Sequence, residues 1–283
     1  MITSTKDWRI IDLINWGADH FTKKGIMNAR IEMEWFLCNV LRCERIDLYL
    51  KFENLLKSSE LDRLRNMVKR RIAGEPFQHI IGKAPFFGRD FIVNSNVLIP
   101  RPETGILIDR LKKNGNVLTL LEVGTGSGCI AITCALENLS KKIYATDISP
   151  EALNVARKNM QLHKAKNVLL SCHDFLKMGF KYRFDVVVSN PPYICTNDMK
   201  NLQKEVRDYD PEISLTDGAN GYIFYRRFAE RFDELIRPGG YMLLEIGGNI
   251  HKEGVEKIFF GAGLHTQYFR DLQGDFRAVE VCK

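Results

Sequence analysis

The run Glu122-Val123-Gly124-Thr125-Gly126-Ser127-Gly128 constrains this chain more than any other stretch of it. It closes an apolar strand pattern over residues 117–123 and leads into an apolar helical segment that starts near Ser127. Glycines here permit a tight turn and let backbone N–H groups approach a ligand at the helix N-terminus. Strand, glycine turn and helix in that order open a doubly wound α/β sheet, with ligands at the carboxyl ends of its strands. Taken alone, the glycine pattern suits NAD as well as other nucleoside cofactors, and it also occurs in plain loop packing.

The same alternation continues downstream. A strand over residues 142–146 ends at Asp147, roughly 20 residues past the glycine turn, where a carboxylate can accept from both ribose hydroxyls. Ser149-Pro150-Glu151 then supplies an N-cap, a first-turn proline and a first-turn acid for the next helix. After a strand over residues 167–171, Asp174 can accept an adenine amino group and Phe175 can cover the ring. Further strands are expected at 184–189 and 241–246. The expected cofactor contacts are Glu122, Gly124, Thr125, Gly126, Ser127, Gly128, Asp147, Asp174, Phe175 and Asn190.

Asn190-Pro191-Pro192-Tyr193 directly follows the 184–189 strand and narrows the chemistry. Prolines fix the backbone and bring no N–H, so the turn offers acceptors and few donors. An amide or aromatic amino nitrogen is a poor nucleophile because its lone pair is delocalised into the adjoining π-system. If the Asn190 side-chain oxygen and the Pro191 carbonyl each accept one N–H, the nitrogen is held and helped to pyramidalise toward an incoming methyl. Tyr193 can pack on the planar group. Rate enhancement would come from orientation and from hydrogen bonds that strengthen as positive charge develops on nitrogen. Hydride transfer has no use for such a turn, which argues against NAD.

The first part of the chain has a different grammar. Ile10, Ile11, Ile14, Ala18 and Phe21 recur at helical spacing, as do Met33, Phe36, Leu37, Val40 and Leu41. Ser58 can cap a third helix whose stripe is Leu61, Leu64, Val68 and Ile72, stopped by Gly74. Prolines 76, 85, 100 and 102 then exclude long helices, and 86–87, 91–93 and 97–99 read as short strands around turns at 88–90 and 94–96. The expected organisation is a helical bundle over 1–75, a β-hairpin linker over 76–105 and an α/β domain over 106–283.

Apolar residues make up 45% and charged residues 27% of the chain, a balance that fills a globular core and excludes extensive disorder. The net charge of +6 is only mildly positive, and the run Lys69-Arg70-Arg71 falls at a helix end that favours cations, with a nucleic-acid patch as the alternative. Seven scattered cysteines without a CxxC pair point to reduced, core-type thiols and to no metal site. The N-terminus carries Asp7 and no apolar signal core, and no run reaches a bilayer span of about 20 residues. A soluble, cytoplasmic monomer without membrane or nucleic-acid partners is the expectation.

The Asn-Pro-Pro-Tyr turn resembles that of nitrogen methyltransferases acting on adenine or on protein glutamine. Upstream, Glu75-Pro76-Phe77-Gln78-His79-Ile80-Ile81-Gly82, Phe86-Phe87-Gly88 and Val97-Leu98-Ile99-Pro100-Arg101-Pro102-Glu103-Thr104 narrow the likeness. With Glu205-Val206-Arg207-Asp208-Tyr209-Asp210-Pro211, Pro238-Gly239-Gly240 and Leu244-Glu245-Ile246-Gly247, the chain resembles the peptide chain release factor glutamine methyltransferase family from residue 74 onward. That resemblance implies a Rossmann-like class I methyltransferase domain with an antiparallel last strand, preceded by a bundle that binds the release factor. It implies S-adenosylmethionine as cofactor, S-adenosylhomocysteine as product, and N5-methylation of the glutamine in the Gly-Gly-Gln loop of class 1 release factors, in support of translation termination. Onto this sequence it carries Asn190, Pro191, Pro192 and Tyr193 as the amide clamp, and Arg101, Pro102 and Glu103 as further substrate contacts. Pro102-Glu103-Thr104 favours the release-factor branch over a related branch that methylates a ribosomal protein. The alternatives are that ribosomal-protein activity, adenine-N6 methylation of nucleic acid on the same clamp, and a non-catalytic binding protein with a vestigial cofactor fold. Departures from the family pattern fall at Gly105, Phe175, Asp210, Ile250 and Phe276.

Overall fold

The computed structural model describes residues 7–283, and the chain divides into two compact units that join at Gly82 and Lys83. The first unit is helical: α1 (Ile10–Thr22), α2 (Ala29–Leu41), α3 (Arg45–Leu50), α4 (Ser58–Ile72) and α5 (Phe77–Ile81). Its core is built on Leu13, Ile14, Phe21, Met33, Phe36, Leu37, Leu48 and Leu64, all buried. Gly17 lets α1 approach α2, because a Cβ there would overlap the Met33 side chain. Ser58 is the first helical residue of α4 and not its cap; Lys57 is the N-cap, its N–H donating to Glu60 Oε2 at 2.7 Å. In the basic run, Arg70 pairs with Glu75 and Arg71 with Glu32 at 2.7 Å. The unit extends past residue 75, since Phe77 of α5 stacks on Phe36 with ring centroids 5.2 Å apart. A helix of five residues is too short to show a period in the sequence.

The second unit opens with a hairpin of β1 (Lys83–Phe86) and β2 (Arg89–Ile92), in which Phe86 faces Arg89. Phe87 and Gly88 therefore form a two-residue turn, both at positive φ, where the sequence pattern had suggested a turn at 88–90. Residues 97–99 are not a strand. Val97 and Ile99 are buried against Ala84, Val93, Ala152 and Val155, so packing on a helix, not pairing in a ladder, takes up their alternation. Asn159 stitches this segment down: its side chain accepts from the Ile92 N–H at 2.7 Å and donates to the Ile92 and Ser127 carbonyls.

The main sheet comprises β3 (Val117–Val123), β4 (Ser140–Asp147), β5 (Val168–Cys172), β6 (Phe184–Ser189), β7 (Ile236–Glu245), β8 (His265–Arg270) and β9 (Phe276–Cys282). Their order is β5-β4-β3-β6-β7-β9-β8, parallel through β7 and antiparallel at β9 and β8. Neighbouring residues of one strand enter different cores, as side chains alternate across a sheet. Leu120, Val186, Val188 and Leu243 pack with α6 (Gly105–Asn114) and α7 (Cys129–Leu136). Leu121, Val187, Met242 and Leu244 pack with Tyr225, Phe228 and Phe259 of other helices. Helix α8 (Pro150–Leu162) follows β4, with the Ser149 hydroxyl accepting from the Ala152 N–H at 3.1 Å. After β6 come α9 (Lys204–Tyr209), α10 (Glu212–Leu215), α11 (Ile223–Glu230) and α12 (Phe232–Leu235); α13 (Asn249–Gly261) follows β7. The chain enters the sheet at β3, winds out to β5, and returns to β6 beside β3. Connections leaving β3 and β6 diverge, which opens a crevice at their carboxyl ends.

Candidate active site

A cavity of about 240 Å³ occupies that crevice. It is lined by Glu122, Gly124, Thr125, Gly126, Ser127, Asp147, Asp174, Phe175, Asn190, Pro191, Pro192 and Arg101 among the residues expected from sequence. Gly128, Pro102, Glu103 and Tyr193 do not line it. Ser189 ties the two key strand ends together, its hydroxyl donating to the Val123 carbonyl at 2.7 Å.

The glycine turn is pinned from below. The N–H groups of Gly124 and Thr125 both donate to the Thr146 carbonyl at 2.9 Å, and Gly126 N–H donates to Asp147 Oδ2 at 2.8 Å. Gly126 has φ +54 and no atom within 4 Å of where a Cβ would stand, so the turn presents bare backbone to open space. Gly128 serves packing instead: a Cβ there would sit 2.9 Å from Ile132 Cδ1 and 3.3 Å from Ala156 Cβ. It lets α7 and α8 approach beneath the turn.

Asp147 accepts from Gly126 N–H and, through Oδ1, from Ser149 N–H at 3.0 Å. Burial pushes its carboxyl above the usual range, and these backbone donors pull it part of the way back. Asp174 accepts from the Leu176 N–H at 3.1 Å and pairs with Lys177 at 3.3 Å, so part of its capacity is used in shaping its own turn. Phe175 is only 4% exposed. Its ring packs on Phe228 at 4.4 Å and lies 5.3 Å from the Arg231 guanidinium, which leaves less ring face for a ligand than the sequence suggested. Phe224, Ile148 and Ile213 add apolar lining that carried no sequence signal, because each belongs to a different loop or helix.

Glu122 is fully buried beneath the turn. Its Oε2 accepts from the Thr125 hydroxyl at 2.6 Å and the Ala131 N–H at 3.1 Å, while Oε1 has no protein partner. Burial pushes its carboxyl up to about 8, against the pull of those two donors. In the unfolded chain a glutamate titrates at about 4.3. Between those values the unfolded state ionises while the native state keeps its proton, so native stability falls as pH rises through that window. Glu122→Gln, which cannot ionise, should therefore gain on the wild type as pH rises from 5 toward about 8. Urea midpoints across that range measure it; a constant gap would refute the burial argument.

The clamp residues separate in role. Asn190 lines the cavity, and its Nδ2 donates to the Thr104 hydroxyl at 3.3 Å, which leaves Oδ1 to accept. Pro191 and Pro192 line the same wall. Tyr193 turns away: its hydroxyl donates to Glu245 Oε1 at 3.4 Å and its ring lies 5.9 Å from that of His251. The expected stacking of Tyr193 on a planar substrate is not what this geometry offers; the ring packs into the core and braces the turn. Arg101 donates to the buried Asp210 at 2.8 Å, joining the proline-rich segment before α6 to the one before α10. Burial pushes Asp210 up to about 6 even so.

A backbone cradle, a ribose-spacing acid, an orphaned buried carboxyl oxygen and apolar walls fit a nucleoside with a charged tail. Sequence comparisons agree. A model described as the PrmC N-terminal domain matches residues 12–82, and one described as the methyltransferase small domain matches residues 102–206. The chain is 38% identical over 241 residues to the release factor glutamine methyltransferase of Geobacter sulfurreducens, covering 85% of this chain and 84% of that one. It is 37% identical over 284 residues to the enzyme of the same description from Bacillus subtilis, covering 95% and 96%. Among solved structures, a methyltransferase from Pyrococcus furiosus superposes with a TM-score of 0.51 at 21% identity, over 80% of this chain and 98% of that one. The last likeness bears on the fold.

Proposed function

This chain belongs to the release factor glutamine methyltransferase family, and from that premise we propose its substrate and the duties of its residues. It uses S-adenosylmethionine to methylate N5 of the glutamine in the Gly-Gly-Gln loop of a class 1 release factor. The observation that carries this reading is a single cavity holding the glycine turn, Asp147 and the Asn190-Pro191-Pro192 wall together.

S-adenosylmethionine supplies a methyl group on a positively charged sulfur. The protein's own part is to hold it and to aim the amide. Gly124 to Ser127 and Glu122 would receive the amino-acid end, Asp147 the ribose hydroxyls, and Asp174 with the edge of Phe175 the adenine. Asn190 Oδ1 and the Pro191 carbonyl accept the two N–H bonds of the substrate amide. Two fixed acceptors restrain the nitrogen and favour its pyramidal form, in which the lone pair is available. They bind the cationic transition state more tightly than the neutral amide, because each N–H becomes more acidic as the new N–C bond forms. No strong base is required, since an N-alkylated amide cation gives its proton to water. Tyr193 holds the turn in place. On this reading the helical unit grips the release factor, and the protein works in the cytoplasm as a monomer without a metal.

Asp147→Ala removes the ribose contacts and also the brace on Gly126 and Ser149. Cofactor affinity should fall by about 10- to 100-fold, the loss expected for charge-assisted hydrogen bonds. Calorimetry reads it, and unchanged affinity would remove Asp147 from the site.

The substrate is tested by mass spectrometry of an unmethylated class 1 release factor incubated with this protein and S-adenosylmethionine. A ribosomal-protein extract and adenine-containing DNA run in parallel. One methyl on the Gly-Gly-Gln glutamine supports the reading. Methyl only on the other two substrates overturns the substrate and keeps the clamp.

A further inference from the structure

His251 does not line the cavity, yet both of its ring nitrogens bond the backbone that encloses Tyr193. It is the third residue of α13, and side chains in a helix lean back toward its N-terminus, which carries the ring over Gly247. Nδ1 accepts from the Gly247 N–H at 3.3 Å. Nε2 lies 3.2 Å from the Gly221 carbonyl oxygen. Tyr222 stacks on the ring with centroids 4.4 Å apart, and Tyr225 meets it edge-on at 5.1 Å. The residue is 8% exposed.

These partners leave the ring one form. A backbone N–H only donates and a carbonyl only accepts, so Nδ1 must offer its lone pair and Nε2 its proton. That is the neutral Nε2–H tautomer. An imidazolium sets Nδ1–H against the Gly247 N–H, and the other tautomer also turns a lone pair toward the Gly221 carbonyl. Burial pushes the imidazole pKa down, and the positive end of the α13 dipole opposes a cation at the same place.

The two backbone segments joined in this way are the ones that close on Tyr193. A Cβ at Gly221 would overlap the Tyr193 carbonyl oxygen, and a Cβ at Gly247 would stand 3.0 Å from the Tyr193 ring. The chain just past Tyr193 pairs with the segment that leads to Gly221. Ile194 N–H donates to the Leu215 carbonyl and Thr196 N–H to the Ala219 carbonyl, each at 2.9 Å. Tyr193 is continuous with Pro192, so what holds Tyr193 also holds the cavity wall. We propose that His251, as the Nε2–H tautomer, is a positioning residue for the amide clamp: it ties Gly221 to Gly247 around Tyr193 and so fixes the turn that carries Asn190. The inference rests on the functional reading above and adds a residue that reading does not use. His251 touches no reacting atom.

The test compares His251→Phe, which keeps a ring among the tyrosines and deletes both nitrogens, with His251→Gln, whose side-chain NH2 can still reach the Gly221 carbonyl. On release factor, His251→Phe should lower kcat by about 10-fold, the factor carried by one hydrogen bond, with cofactor Kd and KM unchanged. His251→Gln should recover most of that loss. Two further readouts need neither cofactor nor substrate. In nitrogen-15 spectra the His251 ring is found by its absence from His251→Gln, and in the wild type at neutral pH it should be the Nε2–H tautomer. Hydrogen exchange at the Ile194 and Thr196 amides should quicken in His251→Phe more than in His251→Gln, while the Leu120 amide in β3 stays as in the wild type. Equal kcat in His251→Phe and His251→Gln overturns the proposal. So does an imidazolium or an Nδ1–H tautomer in the wild type, or exchange at Ile194 and Thr196 that is indifferent to the substitution. If the wild type methylates no release factor, the functional reading falls, while the spectra and exchange rates still decide whether His251 holds the turn.

Discussion

Asn190→Ala should fold, bind S-adenosylmethionine as the wild type does, and turn over about 100- to 1,000-fold more slowly, the range seen when one preorganised polar group is removed from a site of developing charge. The side chain lies on a turn fixed by two prolines and by the Ser189 hydroxyl, so truncating it leaves the backbone in place. What is lost is one of two acceptors for the substrate N–H bonds. That contact strengthens only as the nitrogen becomes cationic, so the loss should appear in kcat more than in KM. Single-turnover kinetics with saturating cofactor separates the two. Turnover within a few-fold of wild type would sink the clamp mechanism, whatever became of the family assignment.

Gly221→Ala should cost nearly as much without touching the cavity. Gly221 has φ +82, and a Cβ there would overlap the Tyr193 carbonyl oxygen and lie 3.0 Å from its carbon. Both partners are backbone, so no rotamer change relieves the overlap, and the turn bearing Asn190 must shift. Its own N–H is held by Asp217 Oδ1 at 3.0 Å and its carbonyl faces His251 Nε2 at 3.2 Å, which limits retreat on the other side. A displacement of about 1 Å in a catalytic group can lower turnover about 100-fold. Gly218→Ala is the matched control, with φ +77 in the same loop and nothing within 4 Å of its Cβ. It carries the left-handed strain of about 1–2 kcal/mol without the collision. Thermal melts should show both variants destabilised, while only Gly221→Ala loses most of its activity. Equal activity in the two would mean that the Tyr193 backbone accommodates the methyl group.

Much of the site was legible because its parts are local in sequence. Glycines at 124, 126 and 128 mark a turn whatever surrounds it, since three positive φ values in five residues exclude most other side chains. Asp147 could be found by counting from that turn, and Asn190 by its prolines. Strands β3 and β6 matched their expected ranges residue for residue, because the last four residues of each are buried and a glycine turn or a proline turn ends them. The helical stripes of the first unit were legible by their period, except in the six-residue α3 and the five-residue α5.

What the sequence could not carry was orientation across long separations. Phe175 reads as a ligand-facing aromatic until Phe228 and Arg231, more than fifty residues away in the chain, take up part of its ring. Tyr193 reads as a substrate platform until Glu245 and His251 draw it into the core. Residues 97–99 read as a strand because alternation records which side chains are buried and not what buries them. The Thr104 to Asn190 contact joins residues 86 apart, and either side chain could have pointed elsewhere with the same spacing. The sequence by itself determined most of the elements, the glycine turn at 124–128 and the Asn190-Pro191-Pro192 turn, because backbone preferences and burial period act within a few residues. Only the tertiary structure decided which end of an amide is bonded, which ring neighbours pack and which oxygen of an acid is left without a protein partner, because those choices depend on partners that the fold brings together.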